Sequence, residues 1–581
     1  MKPAAQNNFL PTTAKEMQAL GWEQADVILF TGDAYIDHPS FGSAVVGRRL
    51  QAAGYRVAIV PQPNWRDDLR DFKKLGEPRL FFGVTAGAMD SMVNHYTAAR
   101  RLRSDDAYTP GGKAGFRPDR AVTVYTSILK RLFPRVPVVV GGIEASLRRL
   151  AHYDYWDDAL HPSVLATSGA DLLAYGMGEG VMEEVARALH NGFNAKLLRR
   201  IRQVAYMLDK APEGTVMLHS FEKCQADPRA FAENFVTEEA LSNCLTTDTV
   251  LAEGVGDKFV VVNPPRELIS AADLDASFDL PYMRAPHPRY AGKGDIPAWE
   301  MIKFSVGIHR GCFGGCSFCT ISAHQGKFVA SRSERSVLAE VEKVTQMPDF
   351  KGYLSDLGGP SANMYRMAGR DPAVCATCRR PSCLHPKMCR NLNNDHAPLL
   401  DLYRKVRNIK GIKKAFIGSG IRYDLFDGGR YLEEVVVNHT SGRLKVAPEH
   451  TEEHVTDLMR KPPFDSFEQL NRDFCNICDK NELNYQLIPY FISSHPGCTE
   501  NDMQALRQKT RSMRLMTDQV QDFTPTPMTL SSVMYYTGAD PYTGRKLPVA
   551  KGEEKKRQRA YFSDKSPVSK KGHPNKTPRK R

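Results

Sequence analysis

The sequence lacks the long apolar run that an integral membrane protein needs. A membrane-spanning helix takes roughly 18 consecutive apolar residues, and no stretch of the chain reaches that length. The first residues also lack the apolar core of a secretory signal and carry Pro3, Asn7 and Asn8 instead. These two absences predict a cytoplasmic protein that does not associate with a membrane.

Net charge is scarce outside the C-terminal segment. The 581-residue chain has a formal net charge of +13, but residues 551–581 hold 12 Lys or Arg against three acidic residues. The remaining +4 is spread over residues 1–550, so the body of the protein is close to neutral. Residues 551–581 contain almost nothing apolar and are predicted to form a disordered basic tail. Such a tail either contacts RNA through the phosphates or only keeps the protein in solution.

A disulfide framework is also not expected. Twelve cysteines in a chain without a secretory signal favour reduced thiols and metal sites. Cys224 and Cys244 stand alone and are predicted to be ordinary core thiols. Cys475 and Cys478 have the spacing of metal ligands, but they fall in a helical pattern, which favours packing.

The first third of the chain alternates short apolar runs with helical patterns. The runs begin at Asp26, Tyr55, Leu80, Val136 and Asp171, and each ends near glycine or proline. This alternation is typical of a parallel, doubly wound α/β sheet, whose ligand sites lie at the carboxyl ends of the strands. We predict a Rossmann-like domain over residues 21–200, after an N-terminal extension at 1–20.

Residues 201–295 show fewer regular patterns. Closely spaced prolines between Leu280 and Pro288 indicate an extended segment, because proline excludes helix. The range 201–295 is therefore predicted to be a connecting region. A second domain is expected over 296–550, ahead of the basic tail at 551–581.

Three cysteines lie close together at the start of this second domain. Cys312, Cys316 and Cys319 follow an apolar run and are separated by three and then two residues. Thiolates at this spacing suit a soft metal centre, either iron–sulfur or zinc. A four-iron cluster held by three thiolates keeps one iron open. The alternative is a zinc knuckle with a fourth ligand nearby, for instance His309 or His324.

This C-x3-C-x2-C loop, with Phe318 before its last cysteine, resembles the signature of the radical S-adenosylmethionine (SAM) enzymes. The wider sequence resembles the YgiQ-type family within them, over most of the chain. The resemblance implies a partial (β/α) barrel at 296–550 and a [4Fe–4S] cluster on Cys312, Cys316 and Cys319. The open iron would chelate SAM, and an electron donor such as a flavodoxin or ferredoxin would reduce the cluster, which then cleaves SAM to a 5′-deoxyadenosyl radical.

The same resemblance indicates which residues would contact SAM. Phe318 would pack on the adenine side, and the Pro496-Gly497 turn resembles an adenine-side turn of methylthiotransferases. Gly358 and Gly359 correspond to the glycines that hold the SAM amino group, where a bare backbone can approach closely. Residues 524–538 resemble the last barrel strand and its cap. Three polar residues at strand ends are candidate contacts to SAM or substrate: Ser419, Arg422 and Glu449.

A second cysteine cluster interrupts this domain at residues 370–392. Cys375, Cys378, Cys383 and Cys389 lie within fifteen residues, in polar surroundings that disfavour burial as core side chains. Four ligands suit a closed metal site. We predict a structural zinc or an auxiliary iron–sulfur cluster here, and the spacing does not choose between the two metals.

The N-terminal domain resembles, in architecture, the cobalamin-binding domain that precedes many radical SAM cores. Asp37, His38 and Gly42 match the histidine motif of those domains only in part, because the motif has one residue between the aspartate and the histidine. This departure argues against His38 as a cobalt ligand and leaves cobalamin a doubtful cofactor. The domain is then either structural or part of the substrate site.

Together these features predict an enzyme that cleaves SAM reductively and acts on an unknown substrate. Within the same class, the N-terminal domain type and the basic tail favour a methyl- or methylthio-transferase acting on RNA or protein. A hypothesis from another functional class is a non-catalytic, metal-stabilised protein that binds nucleic acid or senses redox state.

Overall fold

The computed structural model describes residues 8–192, 198–426 and 429–562. Within these ranges no helix is long and apolar enough to cross a membrane. Residues 1–7 of the predicted N-terminal extension and residues 563–581 of the predicted tail lie outside the described residues.

Nine strands of the first half form one sheet in the order β10-β11-β12-β9-β8-β5-β4-β1-β3. Strands β3, β1, β4, β5 and β8 are parallel, in the order typical of flavodoxin-like doubly wound sheets. The predicted doubly wound α/β domain is confirmed. The strands are β1 Val27–Thr31, β3 Val57–Pro61, β4 Phe81–Thr85, β5 Val138–Gly141, β8 Leu172–Ala174, β9 Val204–Leu208, β10 Val216–Met217, β11 Leu251–Val255 and β12 Lys258–Val262.

Helices cover both faces of the parallel strands, which explains the continuous apolar runs. Along β1, Ile28 and Phe30 face one hydrophobic cluster, while Val27 and Leu29 face another. The helices of this half are Ala14–Ala19, Gly42–Ala52, Arg70–Lys73, Ser91–His95, Ala121–Leu132, Gly142–Leu147, Val164–Ser168, Glu179–His190, Phe221–Ala226, Pro228–Ser242 and Ala271–Phe278. Three short strands lie outside the large sheet: β2 Ile36–Asp37, β6 His152–Asp154 and β7 Ala159–His161.

The range 201–295 is not the connector that the prolines suggested. It contributes β9 to β12 to the sheet, and β9 pairs antiparallel with both β8 and β12. Strands β11 and β12 form a hairpin whose turn contains Gly256, with a φ of 61°. Strand β10 is exposed and β11 is partly exposed, so neither has the continuous apolar run of the central parallel strands. Strand β12 does have such a run, at residues 259–262. Only the prolines after residue 262 belong to an extended segment, which includes β13 (Ala285–Pro286).

The second half is an open, irregular (β/α) barrel. Its strands pair in parallel as β14 with β18, β17 with β19, and β20 with β21 and β22. The strands are β14 Ser305–Gly307, β15 His309–Arg310, β16 Ala330–Ser331, β17 Tyr353–Leu354, β18 Asp356–Gly358, β19 Lys414–Ala415, β20 Arg443–Glu449, β21 Gln486–Ser493 and β22 Val520–Asp522. The helices are Pro297–Ile302, Ile321–Gln325, Glu334–Thr345, Pro372–Ala376, Ala397–Arg407, Arg430–His439, Glu453–Leu458, Phe464–Lys480, Glu500–Ser512, Leu530–Thr537 and Gly552–Ala560.

Three further expectations change at the ends of the chain. The last barrel strand is β22, whereas residues 530–537 form a helix that the Thr529 hydroxyl caps. The predicted tail is helical over Gly552–Ala560. Its Lys555 is buried, and the ammonium donates to the Phe523 carbonyl at 2.6 Å. The extension packs through buried Leu10 and Met17, and its helix begins with a capping box at Thr13.

Candidate active site

The cysteine loop lies between β15 and the helix Ile321–Gln325. Its base is closed by a hydrogen bond from the Cys312 N–H to the Gly326 carbonyl at 3.1 Å. Gly311 has a φ of 85°, and a Cβ there would lie 2.2 Å from the Phe328 carbonyl oxygen. Only glycine fits this close approach, so the loop is held against the segment that follows the helix.

The three loop thiols are partly buried and influence one another. Burial, followed by the neighbouring Cys316, raises the pKa of Cys312 to about 11 and that of Cys319 to about 12. The three sulfurs do not all lie within 4.8 Å of one another. Tetrahedral zinc with Zn–S bonds of ~2.3 Å would hold its thiolates ~3.8 Å apart. As they stand, the three sulfurs are therefore not arranged around a single ion.

Neither histidine of the zinc-knuckle alternative completes a set of ligands. His309 is buried beside Gly359, where a glycine Cβ would lie 2.4 Å from its ring. The Nδ1 atom of His324 lies 3.2 Å from the Ser146 hydroxyl, across the boundary with the first half. Among the described residues, no group of three potential ligand atoms within 4.8 Å includes a loop cysteine.

Arg422 contacts the loop directly. Its Nη1 donates to Cys316 Sγ at 3.2 Å, while its Nη2 donates to Asp424 at 2.6 Å. Burial alone would raise the pKa of Asp424, but the Arg422 guanidinium holds it below its ordinary value. Asn363 fixes the Arg422 backbone through hydrogen bonds to both its N–H and its carbonyl. The structure thus places Arg422 at the cysteine loop.

Glu449 lies at the end of β20 in the left-handed backbone region, with a φ of 67°. Such a conformation in a non-glycine residue costs about 1–3 kcal/mol and often marks a functional position. The carboxylate is buried, and its nearest cation is the Lys461 ammonium at 3.6 Å. Burial raises the pKa of Glu449, and the charge on Glu449 in turn raises the pKa of Cys319. Glu449 and Lys461 therefore belong to the surroundings of the loop.

The two glycines follow the strand beside the loop. Gly358 pairs with Gly307, and the Ile308 N–H donates to the Gly358 carbonyl at 2.8 Å. Gly358 also faces Ser419, whose hydroxyl oxygen would lie 2.8 Å from a Cβ at this position. The glycines and Ser419 thus come together, one strand away from the cysteines.

Ser419 is tied to an acid that the sequence analysis missed. The Ser419 hydroxyl donates to Asp356, and the Gly418 N–H donates to the same carboxylate at 2.8 Å. Burial raises the pKa of Asp356. Asp356 lies in the predicted glycine stretch and could have been noticed there as a charge, whereas no sequence signal marks Lys461. The fold brings Asp356 to Ser419 and Lys461 to Glu449.

Phe318, the residue before Cys319, lies close to the predicted adenine-side turn. Its ring is perpendicular to that of His495, with centroids 6.4 Å apart. His495 directly precedes Pro496 and donates or accepts a hydrogen bond at 2.7 Å with the Ser531 hydroxyl. A Cβ at Gly497 would lie 2.3 Å from Leu458, so this turn packs tightly.

A cavity of about 890 Å³ lies between the two halves of the protein. Its walls include Tyr175 to Met177 after β8, the helix Ile321–Gln325 after the loop, and a buried ion pair between Glu179 and Arg310. A smaller cavity of about 40 Å³ is lined by Cys316 and Cys319. Both cavities are lined by Ser242, Ser322 and Ala323, so the loop adjoins the larger space.

The second cysteine cluster packs against the first loop. The Cys383 N–H donates to the Phe313 carbonyl at 3.0 Å, and the Ser382 hydroxyl donates to the Gly314 carbonyl at 2.7 Å. A Cβ at Gly315 would lie 2.3 Å from the Pro381 carbonyl oxygen. Burial raises the pKa of Cys383 to about 11, and the charges on the other three cysteines of the cluster raise it too.

His38 and Asp37 lie away from the large cavity. Asp37 forms a buried ion pair with Arg48, and His38 lies beside Trp299 with ring centroids 5.9 Å apart. His38 is not among the described residues that line the cavity. The crevice between β1 and β4, the usual ligand site of this topology, is occupied by Arg117, which donates to Asp33 at 2.8 Å.

Comparison with known proteins identifies relatives along most of the chain. Residues 9–305, just over half of the chain, match the family described as Radical SAM N-terminal, and residues 518–567 match a domain of unknown function, DUF3362. A UPF0313 protein of Porphyromonas gingivalis is 59% identical over 572 residues, covering 96% of this chain and 90% of the relative. One from Bacteroides thetaiotaomicron is 56% identical over 590 residues, covering 97% and 95%.

The fold is also similar to that of solved radical SAM proteins, at low sequence identity. The radical SAM methyltransferase TsrM from Kitasatospora setae, solved with cobalamin and a [4Fe–4S] cluster bound, is 14% identical with a TM-score of 0.49, covering 88% of this chain and 78% of TsrM. The family match and the two close relatives carry the assignment by themselves. This chain belongs to the UPF0313 family of radical SAM enzymes, the YgiQ-type proteins.

Proposed function

We propose that Cys312, Cys316 and Cys319 hold a [4Fe–4S] cluster with one iron open to SAM, and that the protein cleaves SAM to generate a radical on a substrate in the large cavity. One observation carries the proposal. Three thiols lie in one loop, with the Arg422 guanidinium on Cys316, and this loop adjoins a cavity of about 890 Å³. When bound, the reduced cluster supplies the electron that converts SAM to the 5′-deoxyadenosyl radical.

The charges around the loop fit such a cluster. A cluster bound by thiolates is negative, and Arg422 supplies a cation in contact with Cys316. Lys461 supplies a second, buried cation near the loop. The raised pKa values of Cys312 and Cys319 mean that the thiols stay protonated at neutral pH until a metal displaces the protons.

SAM would be held beside the loop by the glycines and by the two aromatic rings. The His309 ring fills the space where a Cβ of Gly359 would lie, so the amino group of SAM would contact the polar backbone atoms of the glycines. Asp356, held by Ser419 and the Gly418 N–H, is a carboxylate beside the same glycines that suits an ammonium group. Phe318 and His495 would contact the adenine, since both rings lie next to the tight turn at Gly497.

The substrate would occupy the large cavity. Its wall combines residues of both halves, and buried polar groups such as the Glu179–Arg310 pair and His324 face it. A hydrogen atom of the substrate can meet the radical through the smaller cavity at Cys316 and Cys319. The polar lining favours a polar substrate.

The test is anaerobic reconstitution with iron and sulfide, followed by dithionite and SAM. We expect 5′-deoxyadenosine from the native protein, and a loss of at least about 100-fold in Cys316→Ala, because one ligand fewer destabilises the cluster. Cys475→Ala is the matched control, since Cys475 is exposed on the helix Phe464–Lys480.

Three outcomes would decide against this function. No brown chromophore, or no 5′-deoxyadenosine from the native protein, would reject SAM cleavage and favour the non-catalytic alternative. S-adenosylhomocysteine as the main product would instead support methyl transfer. Equal activity of Cys316→Ala and Cys475→Ala would remove the loop from the chemistry.

A further inference from the structure

Four cysteines lie outside the loop in one short insertion between β18 and the helix Ala397–Arg407. The segment folds back on itself through the Cys378 N–H bonded to the Cys375 carbonyl at 3.2 Å and the Cys389 N–H bonded to the Cys383 carbonyl at 2.7 Å. The Asn391 amide also donates to Cys375 Sγ at 3.4 Å. The fold therefore gathers four thiols that lie up to fifteen residues apart in sequence.

A buried lysine points at these thiols. Lys327 is 1% exposed, and its ammonium donates to the Arg380 carbonyl at 2.6 Å and to Cys378 Sγ at 3.6 Å. Within the described part of the chain, no carboxylate forms an ion pair with Lys327. A buried ammonium needs a nearby negative charge, because desolvation without one costs several kcal/mol. Four neutral thiols do not supply that charge, whereas a metal–thiolate centre does.

The four sulfurs, as they stand, are not arranged around a single ion. No three of them, alone or with a nearby His, Asp or Glu, lie within 4.8 Å of one another in the described residues. Four thiolates on one zinc ion would all lie ~3.8 Å apart, given Zn–S bonds of ~2.3 Å. The same holds for the three sulfurs of the Cys312–Cys319 loop.

The insertion is also joined to the loop by short contacts. Cys383 donates its N–H to Phe313, the residue after Cys312, at 3.0 Å. The Ser382 hydroxyl donates to the Gly314 carbonyl, and the Pro381 carbonyl oxygen lies against Gly315. A centre on the insertion is thus one hydrogen bond and one residue away from a ligand of the loop, which is a short path for an electron.

The surface of the insertion is basic and partly apolar. Residues 366–390 contain six exposed Arg or Lys and a single acid, Asp371. Val374, next to Cys375, is 50% exposed, and Met388, next to Cys389, is 39% exposed. Apolar residues ringed by positive charge fit a protein partner with an acidic surface.

We infer that Cys375, Cys378, Cys383 and Cys389 bind a second iron–sulfur cluster, at which an acidic one-electron donor of the flavodoxin or ferredoxin class docks and delivers its electrons. This inference rests on the proposed function of the loop. In each transfer the donor is oxidised by one electron, the second cluster is reduced and reoxidised, and the cluster of the loop is reduced by one electron. No bond is made or broken and no proton is required.

Metal counts on the reconstituted full chain test the site. We expect about eight iron ions per chain in the native protein and about four in Cys375→Ala/Cys378→Ala, as two four-iron clusters require. The triple variant C312A/C316A/C319A should also keep about four, in the cluster of the insertion. Zinc in place of iron, or an unchanged iron count in Cys375→Ala/Cys378→Ala, would overturn the inference.

A measurement on the native protein covers the case in which a cysteine variant does not fold. Electron paramagnetic resonance of the reduced protein should show two cluster signals, of which SAM changes only one. Lys327→Met should keep both clusters and lower the potential of the signal that SAM does not change, because a neighbouring cation is lost. A single signal would overturn the second cluster, while loss of the SAM-sensitive signal alone would instead reject the proposed function.

Reduction kinetics test the docking surface. Arg379→Glu/Lys387→Glu should slow reduction by reduced flavodoxin at low salt by at least about 10-fold, because charge steering is lost. Reduction by dithionite should not change, and the control Lys210→Glu/Lys258→Glu, on the exposed far part of the large sheet, should behave as the native protein. Equal flavodoxin rates in both double variants would overturn docking at the insertion.

Discussion

Arg422 contacts both the cysteine loop and the partly buried Asp424, so its positive charge acts on both. The guanidinium donates to Cys316 Sγ and to Asp424. Sequence analysis selected Arg422 as a polar residue at a strand end that could contact SAM or substrate. Only the fold shows that its guanidinium contacts a thiol of the loop. The contact matters because the net charge and the hydrogen bonds around a cluster set its reduction potential.

We predict separable effects of this residue on stability and on potential. Arg422→Gln leaves the partly buried Asp424 without its cation and should destabilise the protein by roughly 1–3 kcal/mol, and Asp424→Asn added to it should restore most of this loss. Both variants lack the cation at Cys316, so the SAM-sensitive cluster should have a more negative potential in both. Chemical denaturation and redox titration check this, and an unchanged potential would contradict the contact.

Asp33 gives a prediction for the dependence of stability on pH. Burial raises the pKa of Asp33 to about 6, although Arg117 opposes the shift. The folded state therefore holds a proton more tightly than the unfolded state, and stability rises as the pH falls through 6. Between pH 8 and pH 5 the native protein should gain on the order of 1 kcal/mol relative to Asp33→Asn. Denaturation of both proteins at each pH checks this, and parallel curves would contradict the buried carboxyl.

At the scale of elements, strands buried on both faces were predictable and the others were not. Strands β1, β3 and β4 are fully buried or nearly so and appear in the sequence as continuous apolar runs. The two residues of β10 are both exposed, and β11 and β12 are partly exposed. The apolar run at residues 259–262 does mark β12 in the sequence. Local pattern could not place β10 and β11, because their positions are set by pairing of β10 with β11 and of β11 with β12.

The C-terminal helix Gly552–Ala560 shows another limit of composition. It is rich in charge, yet Lys555 and Gln558 are buried, and Gln558 donates to the Cys498 carbonyl at 3.0 Å. A charged sequence predicts disorder when its side chains face water, but here the polar groups bond to carbonyls of the barrel. The long aliphatic stem of lysine can be buried in this way.

We predict that this helix stabilises the barrel. Lys555→Ala/Gln558→Ala removes four hydrogen bonds, three from Lys555 and one from Gln558, and should destabilise the protein by roughly 2–4 kcal/mol. Lys556→Ala is the control, since Lys556 is exposed and pairs with Glu553 on the surface. Thermal denaturation compares the three proteins, and an equal midpoint for the double variant and the native protein would show that the helix does not support the fold.

At the scale of the whole molecule, the candidate site is built by both halves. Glu179 of the first half pairs with Arg310 beside the loop, and Glu239 accepts two hydrogen bonds from Arg460, at 2.7 and 2.9 Å. These partners are more than 100 residues apart, so no motif or period could have paired them. The cysteine loop, by contrast, is contained in eight residues and was visible at once.

The buried pair between the halves should show strong coupling. Arg310→Met leaves Glu179 buried and alone and should destabilise the protein by about 3 kcal/mol, whereas Arg310→Met/Glu179→Met should recover most of that loss. A double-mutant cycle by chemical denaturation measures the coupling energy. Additive effects of the two changes would mean that the halves are not held together by this pair.

The central claim is that one iron at the loop is open to SAM. Electron–nuclear double resonance on the reduced native protein, with SAM labelled by ¹⁷O in its carboxylate and ¹⁵N in its amino group, tests it directly. We predict hyperfine coupling from both labels to the cluster, because both groups would bind the open iron. Coupling from neither label, in a protein that carries its full complement of iron, would contradict the account.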